Sequence, residues 1–160
     1  MRRLVLGLAV AMVLPAAACA ADHRSTSGST SQLATETSPK GEDSMKIRLR
    51  VEDKAITATL IDSKTTRDFI SLLPLTLTLE DYAGTEKISR LPRRLSTEGA
   101  PSGSDPSVGD ITYYAPWGNL AIFYRDFQYS RGLVVLGKID RGIEALSVAG
   151  SVRVTIEFLK

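Results

Sequence analysis

Lys46-Ile47-Arg48-Leu49-Arg50-Val51-Glu52 is the stretch from which the fold is read. Side chains of an extended strand alternate with a period of two, so Ile47, Leu49 and Val51 project to one side and Lys46, Arg48, Arg50 and Glu52 to the other. Asp53-Lys54 then makes a tight turn into Ala55-Ile56-Thr57-Ala58-Thr59-Leu60-Ile61. The result is a hairpin with one dry face and one wet face. The alternation returns further on: Leu75, Leu77 and Leu79 against Thr76, Thr78 and Glu80, then Val152, Val154, Ile156 and Phe158 against Arg153, Thr155 and Glu157. Strands of a parallel sheet are buried on both faces. Half-wet strands joined mostly by turns make an antiparallel barrel or sandwich.

Two short helices are predicted between the strands. Thr65 can cap one, with Asp68 three residues on, an apolar face of Phe69, Leu72 and Leu73, and Pro74 as its stop. Asp140 precedes Gly142-Ile143-Glu144-Ala145-Leu146, read as about two turns, with Gly150 beyond the end. Such helices suit the open ends of a barrel as plugs. Residues 89–109 are rich in Pro, Gly and Ser and read as a long loop, a length often put to functional use.

Outward from this region the chain changes character. Arg2 and Arg3 precede an apolar run, 4–14, that Pro15 breaks before Ala16-Ala17-Ala18-Cys19. The run is shorter than the roughly 20 residues that span a bilayer, and the whole has the form of a cleaved export signal, 1–18. The end resembles the lipobox of bacterial lipoproteins. That resemblance implies cleavage before Cys19, a diacylglycerol on its sulfur and commonly an acyl chain of the palmitate kind on its amine, anchoring the exported protein to the bacterial cell membrane or envelope. The competing expectation is plain cleavage after an Ala-x-Ala site, which leaves Cys19 a free thiol. Residues 20–44 hold ten Ser or Thr and no aromatic residue, so 19–44 is read as a disordered tether. Without Arg2 and Arg3 the formal charge falls from +2 to about zero, which removes basicity as a clue to partners.

The remaining 116 residues, 45–160, suffice for one core. They contain neither cysteine nor histidine, since Cys19 and His23 are the only ones in the chain. This excludes Ser-His-Asp and Cys-His catalysis and zinc sites of the usual kind there. No phosphate-cradling glycine loop or calcium-loop spacing is present, and neither a cofactor nor a metal is expected. Asp110 and Asp126 are separate carboxylates without a visible partner, which gives little support to a general acid–base pair. Arg90, Arg93 and Arg94 flank a proline-containing stretch that reads either as an exposed basic loop or as a site for carboxylate or phosphate. The cluster is too small, and too far from stacking aromatics, for nucleic acid. Tyr113, Tyr114, Trp117 and Phe123 gather four of the chain's ten aromatics within eleven residues. Successive strand residues face opposite ways, so Tyr113 and Tyr114 cannot both be buried in one layer. Pro116-Trp117-Gly118-Asn119 reads as a turn with Trp117 at its tip.

Gly132-Leu133-Val134-Val135-Leu136-Gly137-Lys138-Ile139, with Asp140-Arg141-Gly142-Ile143 after it, resembles the strand and helix start near the end of cyclophilins. Lys64-Thr65-Thr66-Arg67-Asp68-Phe69 is similar to their first helix. Gly109-Asp110-Ile111-Thr112-Tyr113-Tyr114 and the segment 116–124 resemble a bacterial cyclophilin-like group defined by fold rather than by an established activity. The resemblance implies a mainly β protein: a closed antiparallel barrel of about eight strands with a short helix over each mouth. Prolyl isomerases of this fold use an arginine, a glutamine and a pocket built with phenylalanine, tryptophan and histidine. Of these, Arg90 is the one candidate for the catalytic arginine. Leu120 falls where the glutamine stands, Ala121 and Ile122 replace aromatics, the tryptophan's place falls near Gln128 or Tyr129, and the histidine has no counterpart. The expectation is therefore a lipid-anchored binding module for a peptide, protein or small ligand, with Arg90, Tyr113, Trp117, Asn119 and Phe123 along its groove. An isomerase or folding catalyst with a rebuilt site is the alternative.

Overall fold

The computed structural model describes residues 45–159. Cys19, His23 and the segments 1–18 and 19–44, read as signal and tether, lie outside them. The strands are β1 (Lys46–Val51), β2 (Lys54–Leu60), β3 (Leu75–Tyr82), β4 (Glu86–Arg90), β5 (Gly103–Ser104), β6 (Asp110–Tyr114), β7 (Asn119–Phe123), β8 (Ser130–Arg131), β9 (Leu133–Arg141) and β10 (Val152–Leu159). One helix, α1 (Lys64–Ile70), follows β2, and a 3-10 turn spans Ile143–Ala145. Eight strands close into an antiparallel barrel in the order β1-β10-β3-β4-β7-β6-β9-β2, while β5 and β8 form a separate two-stranded ribbon.

The alternation works as expected on β1, β3 and β10. Ile47, Leu49, Leu79, Val154 and Ile156 are buried in one core with Leu120, Ile122 and Leu136 from the far wall. Each such side chain contributes about 1.5–3 kcal/mol. Phe158 is the exception: it sits at the strand's end opposite Ile47 and is exposed. The hairpin turn lies one residue earlier than expected. Val51 pairs with Lys54, so Glu52 and Asp53 make the turn and Glu52 takes a φ of 52°.

Both plugs differ from their predicted form. Ser63, not Thr65, caps α1: its side chain accepts the Thr66 N–H at 3.1 Å. Thr65 is already inside the helix and buried, and Asp68 points away to hold Arg93. The second plug is one 3-10 turn rather than two α-turns. Gly142 precedes it at φ 90° with no side-chain cap, and the bonds that follow run from Ala145, Leu146 and Ser147 back three residues. A short segment without a cap cannot sustain an α-helix, yet Leu146 still drives fully into the core.

This second mouth is sealed by a lysine. Lys87 on β4 is fully buried and stands opposite Ile122, hence on the inner face. Its ammonium donates to the carbonyls of Val148 (2.5 Å) and Gly150 (2.7 Å) and lies 3.5 Å from Asp81. Tyr124 donates to Asp81 at 2.5 Å, and burial, then that carboxylate, push its hydroxyl up to about 12.

Candidate functional site

Every residue of β7 is buried. A barrel strand ordinarily wets its outer face, so β7 is covered from outside. Leu120 and Ile122 fill the interior, whereas Ala121 and Phe123 join Leu133, Ile88 and Tyr114 in a second apolar cluster on the outer side. Register sets this floor. Tyr82, Glu86 and Phe123 stand abreast on β3, β4 and β7; Ile88 lies opposite Ala121; Arg90 lies opposite Asn119, which in turn faces Tyr114 on β6. Residues directly opposite share a face. Glu86, Ile88 and Arg90 therefore form one outward row, with about 13 Å between its charged ends.

Trp117 stands over this floor. The turn between β6 and β7 swings it back so that its ring meets Tyr82 at 5.5 Å and Tyr114 at 5.4 Å, both edge to face. It remains 46% exposed and so is reachable from solvent. Trp117, Ile88 and Asn119 wall two adjoining cavities. One, of about 210 Å³, is lined mainly by aromatic and aliphatic groups and holds Glu86. The other, of about 290 Å³, holds Arg90, Thr78 and Glu80. Burial alone pushes the Glu86 carboxyl up to about 7. Asn119 is 5% exposed, its Nδ2 donates to the Leu120 carbonyl at 3.3 Å, and its Oδ1 has no hydrogen-bond partner among the described residues. Buried acceptors are rarely left in that state.

Of the expected groove residues, the structure brings together Arg90, Trp117, Asn119 and Phe123, and leaves Tyr113 out. Tyr113 sits opposite Leu120 on the inner face, and its hydroxyl accepts the Leu95 N–H at 3.1 Å, pinning the following loop. The region read as a loop from residue 89 begins only after Arg90, which belongs to β4. Arg93 and Arg94 are both engaged within the chain. Arg93 clasps Asp68 (2.5 Å) and Ser71 (2.8 Å) of the α1 region, and holds the Asp68 carboxyl below its usual range. Arg94 donates to the carbonyls of Ala115 and Pro116 at the Trp117 turn. Asp110 and Asp126 are held by a lysine and by backbone N–H groups rather than by a second acid–base residue. Asp110 pairs with Lys138 at 3.3 Å and accepts the Ser107 N–H, and Asp126 accepts the Val108 N–H, both at 2.8 Å. Glu86 and Tyr82 were not anticipated. Their signal was the alternation Glu86, Ile88, Arg90 after the Ala83-Gly84 turn.

A model of the cyclophilin-like family matches residues 49–157. The chain belongs to that family. No functionally curated protein matches it. Among solved structures, this cyclophilin-like chain is similar to the solution structure of a hypothetical protein from Archaeoglobus fulgidus, with a TM-score of 0.51 and 21% identity over 71% of this chain and 94% of that one. This likeness concerns the fold. Within the cyclophilin-like barrel, Leu120, which the resemblance was expected to set at the isomerase glutamine, points into the core, and the amide on the groove is the adjacent Asn119.

Proposed function

We propose that this cyclophilin-like protein is an exported, lipid-anchored binding module whose ligand occupies the groove over β4, β7 and β6. The observation that carries the reading is the buried, unpartnered Asn119 oxygen in a wall shared by two cavities. A ligand donor satisfies it, and the aromatic walls supply contact area. Export and anchoring rest on the charged start, the apolar run and Ala16-Ala17-Ala18-Cys19. Hydrogen–deuterium exchange of the full chain against a mixed library of peptides and small metabolites tests the groove. Protection confined to 82–90 and 114–123 supports it, and protection elsewhere overturns it. For the anchor, Cys19→Ser is expected to move the protein from membrane to soluble fractions.

A second reading has its own support. Arg90 and Asn119 stand opposite each other and line one cavity, a guanidinium and an amide being the side-chain types that a prolyl isomerase applies to a peptide. Donation to the prolyl nitrogen weakens a bond whose rotational barrier is about 18–20 kcal/mol. Cis–trans exchange of a proline peptide, followed with the native chain and Arg90→Ala, separates the readings. Catalysis lost in the variant establishes the enzyme, and no catalysis in either chain leaves a binding module.

A further inference from the structure

The smaller cavity has a composition that narrows its ligand. Tyr82, Tyr114, Trp117, Phe123 and Phe127 all line it, with Phe127 stacked on Phe123 at 6.4 Å. Aromatic faces attract a cation held within about 6 Å of the ring. Glu86 is the only charged residue in the walls, and among the described residues its carboxyl has no hydrogen-bond or ion-pair partner. The neighbours that share its face, Tyr82 on β3 and Phe123 on β7, carry no positive charge. Arg90 opens into the adjoining cavity, and Lys87 points inward to the barrel mouth.

We infer that this chamber binds a small free alkylammonium ion, its charged head at Glu86 and its apolar body among Tyr82, Trp117 and Phe123. The inference rests on the reading of the groove as a ligand site and names the ligand class. An anion meets the Glu86 carboxylate. A neutral apolar molecule leaves that carboxylate desolvated without a counter-charge. An ammonium group supplies both the charge and the N–H donors. Because burial holds Glu86 up to about 7, the carboxylate is ionised and short of a partner at pH 8. Size favours a molecule of a few heavy atoms: about 210 Å³ lies below the roughly 300 Å³ at which drug-sized pockets begin.

Trp117 is the only tryptophan in the chain, so its emission reports from the chamber wall without labelling. The full chain in detergent is titrated at pH 8 with n-butylammonium, 1-butanol, butyrate and a short lysine-containing peptide. Expected is a saturable response to butylammonium in the millimolar range, weakened at least tenfold in Glu86→Gln and retained in Glu86→Asp, with little response to butanol or butyrate. Calorimetry on Trp117→Phe, which keeps a ring but loses the reporter, is expected to show the same preference for the ammonium. Equal or tighter binding of butanol or butyrate, or an affinity untouched by Glu86→Gln, overturns the cation while leaving the groove a ligand site. Binding of the peptide alone overturns the small-amine assignment in the same way. Silence toward all four probes overturns the inference. If the library exchange experiment is silent as well, the groove reading falls with it.

Discussion

A carboxyl set among Tyr82, Phe123 and Phe127 loses water that no partner replaces, and its hold on a proton rises to about 7. The unfolded chain releases that proton near 4.5. Between these values the folded state binds more protons than the unfolded one, so the contribution of Glu86 to stability is fullest below about pH 4.5 and is lost as pH rises through 7. Glu86→Gln removes this loss. The variant should be more stable than the native chain at pH 8, by about 1–2 kcal/mol once solvent screening of a half-buried group is allowed for, and no more stable at pH 4. Urea denaturation at the two pH values checks it. A residue that weakens the empty protein is understandable where a ligand needs it. Lys87 has the opposite balance, because its burial is matched by two carbonyls and Asp81. Lys87→Met keeps the bulk but strands those acceptors. A loss of about 2–3 kcal/mol is expected, with faster amide exchange in 147–150.

The strands legible from sequence were those with apolar groups inside and polar groups outside. β4 inverts that pattern: Lys87 and Ser89 face in, Ile88 faces out. Lys87 can do so because its stem lies in the core while its head reaches the mouth, and Ile88 because β7 and Trp117 give it an outer apolar layer. Periodicity reports spacing, not which face a second layer will cover, so Glu86 went unread along with β4. The second plug was misjudged for a local reason, since Gly142 offers no cap. Gly137 was legible only as part of a resemblance, yet it has a physical task. It lies opposite Leu60, and an added Cβ would meet the Leu60 Cα at 2.7 Å and the Thr59 carbonyl. Those atoms are backbone and cannot step aside. Gly137→Ala should therefore cost about 2–3 kcal/mol, seen as a lower denaturant midpoint with an unchanged slope.

At the scale of the molecule, closure depends on the last strand. β10 pairs with β1 on one side and β3 on the other. Ending the chain after Ser151 exposes two edges and withdraws Val152, Val154 and Ile156, each worth about 1.5–3 kcal/mol, from a total stability that is commonly about 5–15. No cooperative melt should survive, and far- and near-ultraviolet circular dichroism on heating will tell. The barrel was readable because its alternation is repeated on strand after strand. The groove was only half readable, because Trp117 meets Tyr82 across a gap of 35 residues that no local pattern spans. The seam has another consequence. Lys46 pairs with Leu159, so the barrel begins and finishes at adjacent points on one rim. A few glycines could splice those points, and fresh termini could be cut at the exposed Ala83-Gly84 bend, yielding a rearranged gene order that draws the same cylinder with a different starting pen-stroke.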